Sequence, residues 1–213
     1  TESPQGHAII QVQPDGQNCI FLYGGSNQAV TPEDIDAVLS HFAPGDYLLM
    51  QNELSNFTYL LRAAVGRGLR VVLNASPISG EVLAADLTGV DWLVVNEIEC
   101  AAIAGCSTAE EGYAALRARY PGLGILLTLG SEGSVSWKDG AEIRQCAYPV
   151  QAVDTTGAGD TFMGYFVGCL AQGMERKDAM QYAAMAASIA VTRPGAAPSI
   201  PMMAEVRAAV EAL

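Results

Sequence analysis

Apolar and polar positions alternate along the chain with two different periods. Compact apolar runs that end at polar or glycine residues predict buried strands, and longer segments with apolar residues every three or four positions predict helices. The predicted strands cover residues 47–51, 69–73, 92–95, 124–129, 134–137 and 142–146. The predicted helices cover residues 31–42, 56–66, 109–119 and 161–171, and the remainder is mainly helical with a Gly- and Pro-rich break at 193–201. Continuous apolar strands separated by helices predict an α/β fold, with a mostly parallel central sheet and helices on both faces.

Two segments have the pattern of β-hairpins. Residues 8–12 and 19–23 are strand-like and flank a turn around Pro14-Asp15-Gly16. The last two predicted strands flank Asp139-Gly140, a pair that favours a tight hairpin turn. We therefore expect one hairpin at the front of the chain and a second one near residue 140.

Polar side chains occur where several predicted strands end. In an open parallel sheet, ligands bind outside the carboxyl ends of the strands. A common position at these ends predicts that the polar residues contribute to one site. The residues concerned are Glu53, Asn74, Asn96, Thr128 and Asp154.

A glycine-rich turn at residues 154–160 leads directly into the predicted helix 161–171. The backbone N–H groups of residues 157–160 would lie at a helix start, where free donors and the helix dipole favour an anion. Asp154 and Asp160 lie on either side of this turn, and Asp160 is positioned to accept a proton from a hydroxyl that attacks a phosphoryl group. The alternative is that Asp160 only stabilises the helix start, by about 0.3–1 kcal/mol. The turn predicts a phosphate site with its own base.

Three further candidates remain ambiguous on local sequence alone. Asn96 and Glu99 would share a helix face and suit a magnesium ion held largely through water, but they equally fit a capping box, which local sequence favours. The segment 128–133 could line a nucleotide or form an ordinary turn. Glu53 could bind a substrate hydroxyl or be a solvated acid at a strand end.

Composition excludes several classes of function. The chain has 213 residues and a formal net charge of −12, and this acidity argues against nucleic-acid binding because phosphate backbones require a basic surface. It has five cysteines without a CxxC pair and two histidines, so we expect neither a zinc site nor a disulfide framework. No apolar run is long enough to cross a bilayer. Reduced thiols fit a cytoplasmic protein.

The segments 154–162 and 190–199 together resemble the ribokinase-like (PfkB-type) family of carbohydrate kinases. The resemblance extends to the segments 49–53, 96–99 and 129–133, in the family's order. It implies ATP-dependent phosphorylation of a sugar hydroxymethyl group, with ribose converted to ribose 5-phosphate as the expected reaction. The family usually has proline where this chain has Ala75.

The resemblance also implies a role for each matching residue. Asp160 matches the catalytic base that contacts the sugar, Gly157, Ala158 and Gly159 match the anion hole, and Glu53 matches a ligand of the sugar hydroxyls. The residues matching the nucleotide and phosphate site are Asn74, Asn96, Thr128, Gly130 and Gly133. Glu99 matches a residue that serves Mg²⁺ through water. The ligands of a K⁺ site would be the Asp154 carboxylate, the Ser199 hydroxyl and the carbonyl groups of Thr156, Ala190, Arg193 and Gly195.

The chain departs from the family pattern at its front. Family members begin with an Asp- and Gly-rich sugar-binding region, and we expect residues 1–213 to form a single domain that lacks this portion. Residues 7–23 would be what remains of the lid. The resemblance implies a homodimer through the lid, which the missing part would compromise, and we expect weak or no sugar phosphorylation by this chain alone. The alternative is a non-catalytic module that binds nucleotides or anions, or a subunit completed by another chain.

Overall fold

A computed structural model of the protein describes residues 3–12 and 18–213, without the side chains of residues 10, 12 and 18–20. The described strands are β1 (His7–Val12), β2 (Asn18–Tyr23), β3 (Tyr47–Met50), β4 (Arg70–Asn74), β5 (Trp92–Asn96), β6 (Gly124–Thr128), β7 (Ser134–Lys138) and β8 (Ala141–Gln145). The described α-helices are α1 (Pro32–Leu39), α2 (Phe57–Gly66), α3 (Gly80–Leu83), α4 (Glu97–Ala104), α5 (Ala109–Arg119), α6 (Ala158–Ala171), α7 (Arg176–Ala190) and α8 (Met203–Glu211). These elements form two compact units, Thr1–Asp86 and Leu87–Leu213.

The first unit contains the front hairpin and a parallel pair of strands. β1 pairs antiparallel with β2, which confirms the predicted hairpin, while its predicted turn at residues 14–16 lies outside the described residues. β3 pairs in parallel with β4 from Tyr47 opposite Arg70 to Met50 opposite Leu73. Helix α2 connects the two strands and buries its apolar face, including Phe57.

The second unit combines parallel and antiparallel strands. β5 pairs in parallel with β6, and β7 and β8 continue this sheet with antiparallel pairing. β5 is buried along nearly its whole length, as its apolar residues 92–95 favour. The Trp92 ring packs edge-on against Phe166 of α6, with ring centroids 5.0 Å apart. This contact holds α6 against the sheet.

The predicted elements agree with the structure except at some ends. Helix α1 begins as predicted, at a capping box formed by Thr31 and Asp34, but ends at Leu39 and not at residue 42. The chain after Leu39 tightens into turns before Pro44, which disfavours helix in the residue before it. The short helix α3 was not predicted, and Asp154 does not end a strand, because the segment between β8 and α6 contains no strand.

Parallel pairing within both units, together with the connecting helices, confirms the predicted α/β fold class. In the part of the chain that the structure describes, no helix is both long and apolar enough to span a membrane.

Candidate active site

The start of helix α6 is the centre of the candidate site. Gly157 is the N-cap with a φ of 73°, a left-handed conformation that glycine adopts without strain. The first i to i−4 hydrogen bond runs from the Thr161 N–H to the Gly157 carbonyl at 2.8 Å. The Ala158 N–H donates to the Thr155 carbonyl at 3.2 Å, so it is partly engaged by the preceding turn. The predicted helix start therefore exists, while anion binding there stays a prediction. Gly159 is the second residue of α6, where a backbone N–H has no carbonyl partner within the helix.

Asp160 lies in the first turn of α6 and is exposed. A carboxylate in this position is favoured by the helix dipole, as predicted. Its exposure also leaves it accessible to a hydroxyl group that approaches the helix start. The geometry is compatible with both interpretations of Asp160, as base and as stabilising acid.

Asp154 fixes the turn that precedes the helix. Its carboxylate accepts hydrogen bonds from the Thr156 N–H at 2.9 Å and from the Gly195 N–H at 2.9 Å. The hydrogen bonds from the Thr156 side chain and backbone, and then that from the Gly195 N–H, lower the pKa of Asp154 below its ordinary value. The side chain is therefore ionised at neutral pH and connects two segments that the sequence predicted to share a cation site.

Four other members of the predicted K⁺ site, Ala190, Arg193, Gly195 and Ser199, lie at the end of α7 or in the segment after it, and Thr156 lies in the turn before α6. Ser199 is buried and its hydroxyl donates to the Ala196 carbonyl at 2.7 Å, which leaves the hydroxyl oxygen as an acceptor. The Ala190 carbonyl accepts from the Arg193 N–H at 3.0 Å. The donor set consists entirely of oxygen atoms, which suits a hard cation.

A cavity of about 570 Å³ adjoins the start of α6. Ala158 and Gly159 line it, together with the three residues predicted to line a nucleotide, Thr128, Gly130 and Gly133. These three lie at the end of β6 and in the following turn, where Gly130 and Gly133 both have positive φ. Two groups of predicted site residues from different parts of the sequence thus border one cavity.

Asn96 and Glu99 form a capping box at the start of α4. The Asn96 side chain accepts from the Glu99 N–H at 2.9 Å, and the Glu99 carboxylate accepts from the Asn96 N–H at 2.9 Å. Asn96 is opposite Thr128 in the parallel register of β5 and β6, so the capping box lies at the same sheet edge as the cavity residue Thr128. The capping interpretation describes this pair correctly and is compatible with a further contact to phosphates.

The first unit holds the other two candidates, Glu53 and Asn74. Glu53 lies exposed in the turns after β3, and Asn74 is the last residue of β4. Because β3 and β4 are parallel, both residues lie at the same end of the strand pair. Asn52, which the sequence analysis did not single out, connects the loop after β3 with the loop after β4. Its side-chain amide donates to the Pro77 carbonyl at 2.8 Å and to the Ser79 hydroxyl at 2.9 Å.

Sequence reasoning also missed one wall of the cavity. Helix α7 lines it with Ala184, Ala187, Ser188 and Val191, spaced as i, i+3, i+4 and i+7. This spacing places all four residues on one helix face. The repeat of small residues was therefore the sequence signal that could have indicated this wall. Among the described residues, no three His, Cys, Asp or Glu side chains are grouped as a metal site.

The sequence of the chain matches a known protein family. Residues 1–203 match the model of the pfkB family carbohydrate kinases, and the chain belongs to that family. It is 34% identical to the ribokinase of Staphylococcus aureus, over 96% of this chain and 69% of the relative. It is also 34% identical to the ribokinase of Arabidopsis thaliana, over 93% of this chain and 55% of the relative. The chain thus spans between about half and two thirds of the length of these relatives.

Solved structures of ribokinases have the same fold. The crystal structure of the Thermotoga maritima ribokinase superposes with a TM-score of 0.83 at 30% identity, covering 99% of this chain and 71% of that one. The Arabidopsis thaliana ribokinase complexed with ribose and ATP superposes with a TM-score of 0.80 at 31% identity, covering 99% of this chain and 70% of that one.

Proposed function

We propose that this chain is the nucleotide-binding part of an ATP-dependent sugar kinase that converts ribose to ribose 5-phosphate. The observation that carries the proposal is the position of Asp160 in the first turn of α6, whose start borders the cavity lined by Thr128, Gly130 and Gly133. A nucleotide in this cavity would direct its phosphates towards the helix start. Family membership and the ribose and ATP bound to the Arabidopsis relative support the same reaction.

In the proposed reaction, Asp160 accepts the proton of the sugar hydroxymethyl group as its oxygen attacks the γ-phosphorus of ATP. A new O–P bond forms, and the bond between the γ-phosphorus and the bridging oxygen breaks to release ADP. The N–H groups at Gly157, Ala158 and Gly159 stabilise the negative charge on the transferred group, with Gly159 best placed to donate. Glu53 binds the sugar hydroxyls, since it follows β3 at the same end as the phosphate-side residue Asn74.

The residues present fit the two cations of the proposal. Mg²⁺ would neutralise charge on the phosphates, and Glu99 would hold it through water, with Asn96 contacting the phosphates beside it. K⁺ would bind among the oxygen ligands that Asp154 and Ser199 provide with the neighbouring carbonyls of Thr156, Ala190, Arg193 and Gly195. The ionised state of Asp154 favours cation binding there.

The β1–β2 hairpin is proposed to act as a lid over the sugar and as the contact of a homodimer. Its exposed apolar residues, among them Phe21 and Leu22, provide a surface for such a contact.

In the whole protein, further residues would supply most of the sugar contacts, so the 213-residue chain by itself is expected to bind nucleotide but to phosphorylate ribose weakly or not at all.

The test is ATP-dependent ribose phosphorylation by the whole protein that carries these residues. Asp160→Asn is expected to lower kcat by about 10²–10⁴-fold with folding preserved, because it removes a general base without changing side-chain size. Asp139→Asn is the matched control, since Asp139 is exposed in the β7–β8 turn and asparagine tolerates its positive φ of 52°. An unchanged rate in Asp160→Asn would exclude Asp160 as the base.

Calorimetry separates the kinase from the non-catalytic alternative. The whole protein is titrated with ATP and Mg²⁺ in the presence and absence of ribose. A kinase is expected to bind both, whereas nucleotide binding without any response to ribose or to another sugar would favour a nucleotide-binding module.

A further inference from the structure

The segment between α7 and α8 carries the Arg193 and Gly195 carbonyls and the Ser199 hydroxyl, which are proposed ligands of K⁺. The structure describes residues 191–202 throughout, and apart from the 3₁₀ turn Ala197–Ser199 these residues form neither helix nor strand. The positions of their oxygen atoms therefore depend on contacts with neighbouring groups, which commonly orient the ligands of a metal ion. The contacts that hold this segment decide how well it can bind a cation.

Backbone contacts hold the first half of this segment within the proposed site itself. The Arg193 N–H donates to the Ala190 carbonyl at 3.0 Å, and the Gly195 N–H donates to the Asp154 carboxylate at 2.9 Å. Each of these hydrogen bonds joins two residues of the proposed K⁺ site. The Arg193 side chain, by contrast, extends to a residue outside that site.

That residue is Glu205, in the first turn of α8, whose carboxylate forms an ion pair with the Arg193 guanidinium. The side chains of Arg193 and Glu205 are 37% and 43% exposed, so solvent screens the pair in part. Such a pair adds little to the overall stability of a protein, but it restricts where the Arg193 side chain can lie. The ion pair thus connects a residue of the proposed site to α8.

The position of α8 is set by contacts that do not involve the proposed cation ligands. Val206, the residue after Glu205, is fully buried in a cluster with Met185 of α7. The Tyr165 hydroxyl of α6 donates to the Pro201 carbonyl at 2.6 Å, just before α8 begins, and the Tyr165 ring packs against the same cluster. Glu205 therefore extends from a helix that α6 and α7 already hold in place.

We propose that Glu205 is a positioning residue of the K⁺ site. Its ion pair holds the Arg193 side chain against α8 and thereby keeps the segment that carries the Arg193 carbonyl in the arrangement that binds the cation. The inference rests on the proposed function, because it assumes that K⁺ binds among these oxygen ligands. The proposed ligand is the backbone carbonyl of Arg193, whereas the ion pair uses its side chain, so the two roles can be tested separately.

The double variant Arg193→Gln, Glu205→Gln isolates the positioning role from the effect of charge. It removes one positive and one negative charge from neighbouring positions, so the net charge is unchanged and the electric field at the cation changes little. All proposed ligands remain, because Arg193 contributes a backbone carbonyl. If the ion pair positions the segment, the double variant should bind K⁺ about three- to fivefold more weakly than wild type, the upper range for a partly exposed ion pair.

Binding is measured on the whole protein that carries these residues, as the rise of its melting temperature with K⁺ concentration. Tetramethylammonium chloride keeps the ionic strength constant, and the dissociation constant follows from the curve because K⁺ stabilises only the folded state. This measurement reports binding and not the rate of phosphorylation. The matched control is the double variant Arg207→Gln, Glu211→Gln, which removes the same two charges from exposed positions of α8 and should leave K⁺ binding unchanged.

The outcomes separate this inference from the proposed K⁺ site. A change of less than about twofold in the K⁺ dissociation constant of the double variant, or tighter binding, would overturn the positioning role and leave the site intact. If the double variant does not fold, Arg193→Gln alone decides: weaker binding supports positioning, whereas equal or tighter binding shows that the guanidinium acts only by its charge. A wild-type melting temperature that does not respond to K⁺ would contradict the K⁺ site itself, and with it this inference.

Discussion

The carboxylate of Asp154 accepts a hydrogen bond from the backbone N–H of Gly195 at 2.9 Å, across 41 residues of sequence. The same carboxylate accepts from the Thr156 N–H in its own turn. One side chain thus holds the segment after α7 against the turn that begins α6. Any ligand at the α6 start depends on this connection for its geometry.

Asp154→Asn should loosen the connection, because an amide nitrogen cannot accept from a backbone N–H. The pKa of Asp154 is lowered from 3.8 in the folded state, so its contribution to stability is complete above that ordinary value and is lost as pH falls through the lower folded pKa. The difference in unfolding free energy between wild type and Asp154→Asn should be constant from about pH 7 to pH 5 and shrink below about pH 4. Urea denaturation of wild type and Asp154→Asn across this pH range measures the difference in unfolding free energy. A difference that grows towards acidic pH would contradict a lowered pKa of Asp154 in the folded state.

Two variants of Asn96 can distinguish its role in capping α4 from a role in binding phosphate. Asn96→Ala removes the cap of α4 and should lower the free energy of unfolding by about 1 kcal/mol. Asn96→Ser restores a capping box with Glu99 but lacks the amide, so it should retain near wild-type stability. Denaturation and ATP titration are measured together. Weaker ATP binding by both variants supports a phosphate contact, whereas normal binding by Asn96→Ser would limit Asn96 to capping.

The sequence predicted the strands well because each is a compact apolar run bounded by turn residues, as at residues 92–95. It also predicted a helix after the glycine-rich turn, since Gly157 and Gly159 precede an uninterrupted apolar segment, although α6 begins at Ala158 and not at residue 161. It could not assign the two hydrogen bonds of Asp154, because the partner Gly195 is distant in sequence and becomes a neighbour only through packing. The α7 wall of the cavity was missed for a similar reason: a face of alanines is typical of any close helix contact.

The two glycines of the β6–β7 turn, Gly130 and Gly133, should differ in how much a change to alanine lowers the stability of the protein. A Cβ at Gly133 would lie 2.1 Å from the Gln145 carbonyl oxygen, with a φ of 102° that disfavours side chains, so Gly133→Ala should cost at least about 2 kcal/mol. A Cβ at Gly130 would meet nothing within 4 Å at a φ of 55°, and Gly130→Ala should cost about 1 kcal/mol. Thermal and urea denaturation of the two variants measure the two losses of stability. Equal losses would contradict the described path of β8 beside this turn.

The contact of Phe166 with Trp92 should contribute substantially to the stability of the second unit. Both rings are almost fully buried, so Phe166→Ala should lower the free energy of unfolding by about 3–5 kcal/mol and alter Trp fluorescence. Phe42→Ala is the control, because Phe42 is 49% exposed and its loss should change stability by about 0.5 kcal/mol or less.

Gly159 and Gly164 provide the sharpest test of the α6 start. Both lie in the same helix, and an added Cβ would meet nothing within 4 Å at either position. Each change to alanine should therefore stabilise the protein by about 0.5–1 kcal/mol, because alanine loses less backbone freedom in a helix. Only at Gly159 would the new methyl group obstruct the approach of a phosphate to the backbone N–H. Gly159→Ala should consequently lower kcat/KM for ATP by at least about tenfold, while Gly164→Ala leaves it unchanged. Melting temperatures and steady-state rates are measured for both variants of the whole protein. A Gly159→Ala protein that is more stable and equally active would show that no phosphate rests against this turn.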